Sequence, residues 1–288
     1  TLFPYTTLFR SAFGLYSIWL SALPRDRNHP YGHGKIEFIS AGFEGALILL
    51  AGLSIMGKAL YNIWYPQPLA QLGLGLALTA FAGAVNFGLG YYLKKLGQKQ
   101  HSLILSASGA HLISDAYSSV GLVLGLGLVM ATGLPLLDNI LAIGFGSVIL
   151  YTGFKLVRTS IAGIMDEADY QLIRSMVQTL QEERRDQWID IHNFRVIKYG
   201  ATLHIDCHMT LPWYYTTRQN YEEIKAFEAV MMAHAEVPIE LFVHIDPCEP
   251  PENCKLCPVR NCAKRQAPQQ ERVDWTLDNI MKNQKHRI

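Results

Sequence analysis

The chain has 288 residues, half of them hydrophobic, and a formal net charge of +1 at pH 7. A charge so close to zero gives no support to a nucleic-acid-binding function, because such proteins carry an excess of basic residues. Long apolar runs with few charges fill residues 12–160, whereas residues 161–288 have the composition of a soluble protein. This asymmetry predicts a membrane domain followed by a soluble domain.

The first eleven residues, TLFPYTTLFRS, show no helical or strand periodicity. The string also reads as the in-frame translation of a common sequencing adapter. We therefore interpret residues 1–11 as an artefact and leave them out of the fold prediction. We expect native sequence to begin near Ala12, with the true N-terminus missing; the same eleven residues in the native gene would contradict this.

Four complete membrane spans and one partial span are predicted from runs of about 20 apolar residues. The partial span covers 12–23, and the complete spans cover 38–64, 69–94, 103–131 and 135–156. Small residues are frequent in the second and third complete spans, which suits close helix packing within lipid.

Basic residues occupy alternate loops between these spans. Segment 24–35 contains Lys and Arg, as does the chain after the last span, and segment 94–100 contains three Lys, whereas the loops at 65–71 and 131–138 contain neither residue type. Because positive charge stays on the cytoplasmic side, the basic segments and the soluble domain are predicted to be cytoplasmic. The partial helix then enters from outside, so an intact protein would need one further span, six in all.

The soluble part follows the order helix, strand, strand, helix, strand across residues 161–247. This order predicts a small α+β domain close to the ferredoxin-like arrangement. Residues 248–288 form a tail that is first rich in Cys and Pro and then polar and basic.

A histidine and an aspartate lie inside the third complete span, in the stretch GAHLISDAYSS. His111 and Asp115 are four residues apart and therefore share one helix face. Ionisable groups are costly in lipid and mark functional sites by default, and imidazole with carboxylate suits a divalent ion such as zinc. The alternative is a pair that satisfies itself against neighbouring helices.

The first cytoplasmic loop has the sequence DRNHPYGHGK, which brings three potential metal ligands within eight residues. Asp26, His29 and His33 are predicted to form a loop metal site. The alternative is a solvated polar loop with incidental histidines.

Histidines also recur on the strands of the soluble domain: His192, His204, His208 and His244, with Asp246 close behind. Side chains alternate along a strand, so His244 shares a face with Asp246, and His204 shares a face with His208. A single strand histidine is usually structural, but several on adjacent strands favour a metal site.

Four cysteines cluster in the tail, at Cys248, Cys254, Cys257 and Cys262. A C-x-x-C pair within such a cluster can close a tetrahedral thiolate site, although the spacing departs from the usual two-knuckle pattern. A reduced, mobile tail is the alternative. An iron–sulfur cluster is less favoured, because nothing else in the sequence implies electron transfer.

Four motifs together resemble the cation diffusion facilitator family, most closely its bacterial zinc and iron exporters with a cytoplasmic dimer domain. They are HPYGHGKIE, SASGAHLISDAYSS, GIMDEAD and FVHIDPC, and the resemblance covers about 12–247. It implies a divalent cation exporter of the bacterial inner membrane, with a metal-sensing cytoplasmic domain that forms a homodimer. A histidine first in the transport-site pair is associated in this family with zinc or cadmium.

The resemblance also implies roles for individual residues. His111 and Asp115 match half of a transport site, whose other half lies on the family's second helix. The family spacing places that half near Phe3 and Thr7, neither of which is a carboxylate, so we expect a half-built site and a non-functional fragment. The remaining matches are the loop site Asp26, His29 and His33, the binuclear cytoplasmic site His192, His208, His244 and Asp246, and a hinge ion pair of Lys35 with Asp166. A further family histidine on the second cytoplasmic helix has no clear counterpart.

These features predict a transporter rather than an enzyme. Zinc is the expected substrate, with Fe²⁺, Cd²⁺, Co²⁺ and Ni²⁺ as alternatives, and proton antiport is the simplest driving force because the sequence contains no ATP-binding motif. A membrane metalloprotease is disfavoured because no His-Glu-x-x-His motif occurs in a span. A membrane-tethered metal sensor or metal chaperone without transport remains the alternative.

Overall fold

A computed structural model of the chain describes residues 3–65, 73–134, 136–200 and 202–287, the side chains of 3–11, 73 and 74 excepted. The chain divides into two compact units, Thr1–Met165 and Asp166–Ile288. Each unit has an architecture of its own.

The first unit is built from α-helices. They are α1 (Phe3–Ser21), α2 (Ile36–Trp64), α3 (Gly73–Lys99), α4 (Leu103–Thr132) and α5 (Leu136–Ile164). Four helices among the described residues are long and apolar enough to cross a membrane: α2, α4, α5 and the Gly75–Lys99 part of α3. The stretch Ala12–Ser21 of α1 is a shorter apolar helix. The prediction of four complete spans and one partial span is confirmed.

The helix bounds differ most from the predicted ones at two ends. Helix α1 begins at Phe3 rather than at Ala12, because the hydrogen bonds of a helix are local and need no apolar periodicity to continue. Helix α5 extends to Ile164, past the predicted end at 156. Hydropathy indicates where a chain leaves lipid, whereas the helix continues until a turn or cap stops it.

Two pairs of spans approach each other at glycines. A Cβ atom added to Gly109 on α4 would lie 2.6 Å from the backbone nitrogen of Lys94 and 2.7 Å from the carbonyl oxygen of Gly90, both on α3. A Cβ added to Gly153 on α5 would lie 2.9 Å from the backbone nitrogen of Leu49 on α2. Small residues let helix backbones touch in lipid, where there is no hydrophobic force between helices.

The second unit contains a three-stranded sheet and its flanking helices, in the predicted order helix, strand, strand, helix, strand. The elements are α6 (Tyr170–Glu182), β1 (Asp190–Tyr199), β2 (Thr202–Leu211), α7 (Thr217–Ala233), β3 (Ile239–Pro247), a 3₁₀ turn (Asn253–Lys255) and α8 (Leu277–Ile280). The strands β1 and β2 pair antiparallel, and β3 pairs parallel to β2. The parallel pair requires a crossover, which α7 supplies.

Part of the tail belongs to the hydrophobic core of this unit. Trp275 and Ile280 are buried in the same core as Trp188 and Phe227. The guanidinium carbon of Arg184 lies 3.9 Å from the centre of the Trp275 ring, and its Nη1 donates a hydrogen bond to a tail carbonyl. The C-terminal tail is thus folded back onto the sheet domain, which composition alone did not indicate.

Candidate metal centres

The membrane unit places a buried imidazole between two carboxylates. His111 on α4 is 7% exposed, and its Nε2 lies 3.5 Å from Oδ2 of Asp115, one helical turn away. Its Nδ1 lies 3.3 Å from Oε2 of Glu44, whose side chain projects from α2 and is 3% exposed. The structure therefore brings together the predicted His–Asp pair and adds a carboxylate from a second helix.

Sequence reasoning missed Glu44, although a signal was present. It is an acidic residue within the apolar run of α2, and an ionisable residue inside a span is a functional candidate by default. Phe3 and Thr7, where the family spacing puts the other two transport ligands, have side chains outside the described residues. One imidazole and two carboxylates are a ligand set that suits a borderline divalent cation.

The three loop residues form a compact cluster. Single ligand atoms of Asp26, His29 and His33 all lie within 4.8 Å of one another. His29 Nδ1 lies 3.1 Å from Asp26 Oδ1, and His33 Nε2 lies 3.5 Å from Asp26 Oδ2. The backbone N–H of His29 donates to Asp26 and lowers the pKa of that carboxyl, which keeps it ionised and able to bind a cation.

The sheet arranges its histidines in a row. His192, His208 and His244 occupy paired positions on the three strands, so they project from one face. His192 Nε2 lies 3.3 Å and His208 Nδ1 lies 3.4 Å from Oδ2 of Asp246, while His244 Nδ1 lies 3.0 Å from its Oδ1. Asp246 thus contacts all three imidazoles, and ligand atoms of His192, His208 and Asp246 lie within 4.8 Å of one another.

His204, which shares a strand with His208, has a different environment. Its Nδ1 lies 3.0 Å from Oε2 of Glu240, which is its register partner on β3. The structure places His204 in this separate polar pair.

Two further residues extend the row of histidines. The buried Asp190 lies 3.4 Å from His192 Nδ1 through its Oδ2, accepts the backbone N–H of His286 at 3.0 Å, and contacts the ring of His286. Burial alone would raise the pKa of Asp190, but the hydrogen bonds from His192 and His286 hold it well below its usual range. The tail therefore places a histidine at the edge of the histidine row.

The sequence offered a signal for only one of these two residues. Asp190 precedes His192 by two positions and so shares its strand face. His286 lies 96 residues from Asp190 in sequence, and nothing in the local pattern around it indicates the contact.

The four tail cysteines are all free thiols. Cys254 and Cys257 are buried, and Cys248 and Cys262 are partly exposed. Two clusters among the residues that the structure describes have ligand atoms that all lie within 4.8 Å of one another, and the tail cysteines belong to neither.

The predicted hinge pair is divided between the two units. Lys35 immediately precedes α2, and Asp166 is the first residue of the second unit. Their ion pair stays a prediction.

The comparisons with known proteins agree with a membrane domain of this kind. Residues 5–165 match the family model described as the cation efflux transmembrane domain. The chain is 32% identical over 242 residues to an uncharacterized transporter of Synechocystis sp., covering 83% of this chain and 76% of that protein.

Two of the more distant relatives have names that state a function. Metal tolerance protein 2 of Oryza sativa subsp. japonica is 28% identical over 269 residues, 83% of this chain and 68% of that protein. The manganese efflux system protein MneS of Bacillus subtilis is 27% identical over 205 residues, 70% of this chain and 68% of that protein. With four apolar spanning helices and a family match over more than half its length, the chain belongs to the cation efflux family, the cation diffusion facilitators, and is an integral membrane protein of a divalent cation transporter family.

Proposed function

We propose that this protein exports a divalent cation, zinc before others, across the bacterial cytoplasmic membrane in exchange for protons. The observation that supports it most directly is the contact of His111 with both Asp115 and Glu44. Three ionisable groups within apolar helices are expensive to bury unless they bind something.

The ligand chemistry favours a borderline cation. Imidazole nitrogen suits zinc, iron, cobalt and nickel, whereas a site made only of oxygen ligands suits magnesium, calcium or manganese. The names of two relatives indicate metal tolerance and manganese efflux for those proteins. The buried histidine is our reason for proposing zinc here, with Fe²⁺, Cd²⁺, Co²⁺ and Ni²⁺ as the competing substrates.

Proton exchange follows from the same ligands. A metal ion binds neutral imidazole and ionised carboxylates, so binding releases protons that those groups held. A histidine with an ordinary pKa near 6.5 changes charge close to physiological pH. A site that opens alternately to each side of the membrane would then move metal outward and protons inward.

The soluble unit is proposed to sense metal in the cytoplasm. The confinement of Lys and Arg to alternate loops supports the cytoplasmic orientation. The row of histidines around Asp246 supports metal binding in this unit. Metal shared between two such domains would favour a homodimer and bias the conformation of the membrane unit.

A tethered sensor or metal chaperone without transport is the second candidate, and the strand cluster is the observation that favours it. The two functions make opposite predictions for His111→Ala. If the protein is an exporter, a zinc-sensitive host that expresses the native gene loses zinc tolerance with this variant while the protein level is unchanged. If the protein is a sensor, zinc tolerance is unaffected by His111→Ala. The control is His234→Ala, which removes a histidine at the end of α7.

A further inference from the structure

The four tail cysteines converge at the end of β3. Cys248 follows that strand directly, Cys254 lies in the 3₁₀ turn Asn253–Lys255, and Cys257 follows two residues after it. The adjacent residues Trp213 and Tyr214 donate hydrogen bonds to the sulfur atoms of Cys248 and Cys262. The guanidinium of Arg265 donates to the carbonyl oxygens of Cys254 and Cys257, and its backbone N–H donates to that of Cys262. The four cysteines therefore lie in one region of this unit.

Three of the four sulfur atoms accept a hydrogen bond. The backbone N–H of Trp213 donates to Cys248 Sγ at 3.4 Å, and that of Gln266 donates to Cys254 Sγ at 3.5 Å. The third donor is the Tyr214 hydroxyl, to Cys262 Sγ at 3.5 Å. Hydrogen bonds to sulfur stabilise a thiolate more than a neutral thiol, and they tune metal-bound thiolates.

The fifth cysteine shows what an ordinary buried thiol looks like in the same unit. Cys207 lies within the hydrophobic core on β2, where burial raises its pKa to about 12. It behaves as a small apolar side chain. Burial raises the pKa of Cys248 and Cys257 too, but three of the tail cysteines differ from Cys207 in accepting a hydrogen bond at sulfur.

One arginine fixes the loop that carries these thiols. The guanidinium of Arg265 donates to the carbonyl oxygens of Cys254, Cys257 and Val259, at 2.9, 3.0 and 2.6 Å. These three bonds hold residues 254–259 in a compact loop.

We propose that Cys248, Cys254, Cys257 and Cys262 bind a thiophilic metal centre, distinct from the loop cluster and the histidine row. Four thiolates are the ligand set of structural zinc and of iron–sulfur clusters. A single zinc ion with Zn–S bonds of about 2.3 Å holds its sulfurs about 3.8 Å apart, so zinc would draw these thiols closer together. A [4Fe–4S] cluster binds each thiolate to a different iron and accepts a wider spacing.

The centre would have a structural consequence for the neighbouring cluster. Cys248 lies two residues after Asp246, and its backbone N–H donates to the carbonyl oxygen of Leu211 at the end of β2. A metal held at this point would fix the ends of β2 and β3, which carry His208 and Asp246. It would also hold the tail segment against Trp213 and Tyr214.

The test uses the full chain, purified anaerobically in detergent under reducing conditions, with zinc, iron and acid-labile sulfide measured per chain. We expect wild-type protein to carry one centre that the Cys254→Ser/Cys257→Ser variant loses and the Cys207→Ala control keeps. Iron with sulfide and a brown absorption that the double variant lacks identifies a cluster. A loss of one equivalent of zinc in the double variant identifies a zinc site, because zinc bound at the histidine clusters is present in both proteins. The tail centre does not depend on transport, so we expect the His111→Ala variant to keep it. This holds even if the proposed function is wrong.

If the double variant does not fold, a second measurement on the wild-type protein still tests the proposal. In wild-type protein the four tail thiols should resist alkylation until the metal is removed by a chelator or by oxidation, and mass spectrometry of peptides locates them. Equal metal content in wild type and double variant overturns the proposal. So does immediate alkylation of all four thiols, or the recovery of two disulfides among them.

Discussion

His111 on α4 and Glu44 on α2 place an imidazole nitrogen 3.3 Å from a carboxylate oxygen, within helices able to cross a membrane. The contact joins two spans through ionisable groups. Asp115, on the opposite side of the ring, has a side chain that is 41% exposed, compared with 3% for Glu44. The site therefore has one enclosed and one accessible carboxylate.

Glu44→Gln should weaken cation binding at this site by ten- to a hundred-fold or more, the loss typical for a group that supports a metal ligand. The amide keeps the size of the side chain but loses its charge. The measurement is the concentration dependence of zinc flux in proteoliposomes made with protein from the native gene. Glu37→Gln is the matched control, because Glu37 on the same helix accepts the backbone N–H of Leu103 at the start of α4; equal flux curves for wild type and Glu44→Gln would count against the role of Glu44.

His286→Ala should lower the zinc affinity of the histidine row by about ten- to a hundred-fold, because it removes the group that holds Asp190 beside His192. Competition with a chromogenic chelator measures this on the full chain. His234→Ala should leave the affinity unchanged, since His234 lies on the exposed end of α7. If both variants behave like wild type, the contact between the tail and Asp190 has no part in metal binding.

Gly109→Ala should destabilise the membrane unit by about 1–3 kcal/mol, because the added methyl group meets the backbone of α3 and forces the helices apart. Gly127→Ala on the same helix is the control: nothing lies within 4 Å of its added Cβ, so helix propensity alone acts and the effect is neutral or slightly stabilising. Thermal midpoints in one detergent compare the two variants. Equal midpoints would contradict the close crossing of α3 and α4.

Trp275→Ala should cost the second unit about 3–5 kcal/mol, the usual loss for a large buried aromatic side chain, and should release the tail. Asn193 on β1 donates its backbone N–H to Lys282 of the tail, so this amide should exchange with deuterium faster in the variant. Trp275→Phe should retain most of the protection. Unchanged exchange at Asn193 in Trp275→Ala would mean that the tail is held without this side chain.

The sequence predicted those features that depend on local periodicity. The spans follow from apolar runs, His111 and Asp115 meet because residues four apart share a helix face, and His244 and Asp246 meet because strands alternate. Contacts that depend on how elements pack were not predictable in the same way. Glu44 reaches His111 only because α2 and α4 are neighbours, and His286 reaches Asp190 only because the tail returns to β1 through Trp275.

The central claim is that metal crosses the membrane at His111 in exchange for protons, and coupled flux tests it most directly. Protein from the native gene is reconstituted in vesicles, with zinc and proton movements followed by two internal dyes. We predict zinc movement accompanied by opposite proton movement, both abolished in His111→Ala and both retained in His234→Ala. Zinc flux that persists in His111→Ala, or that moves without protons, would contradict the account.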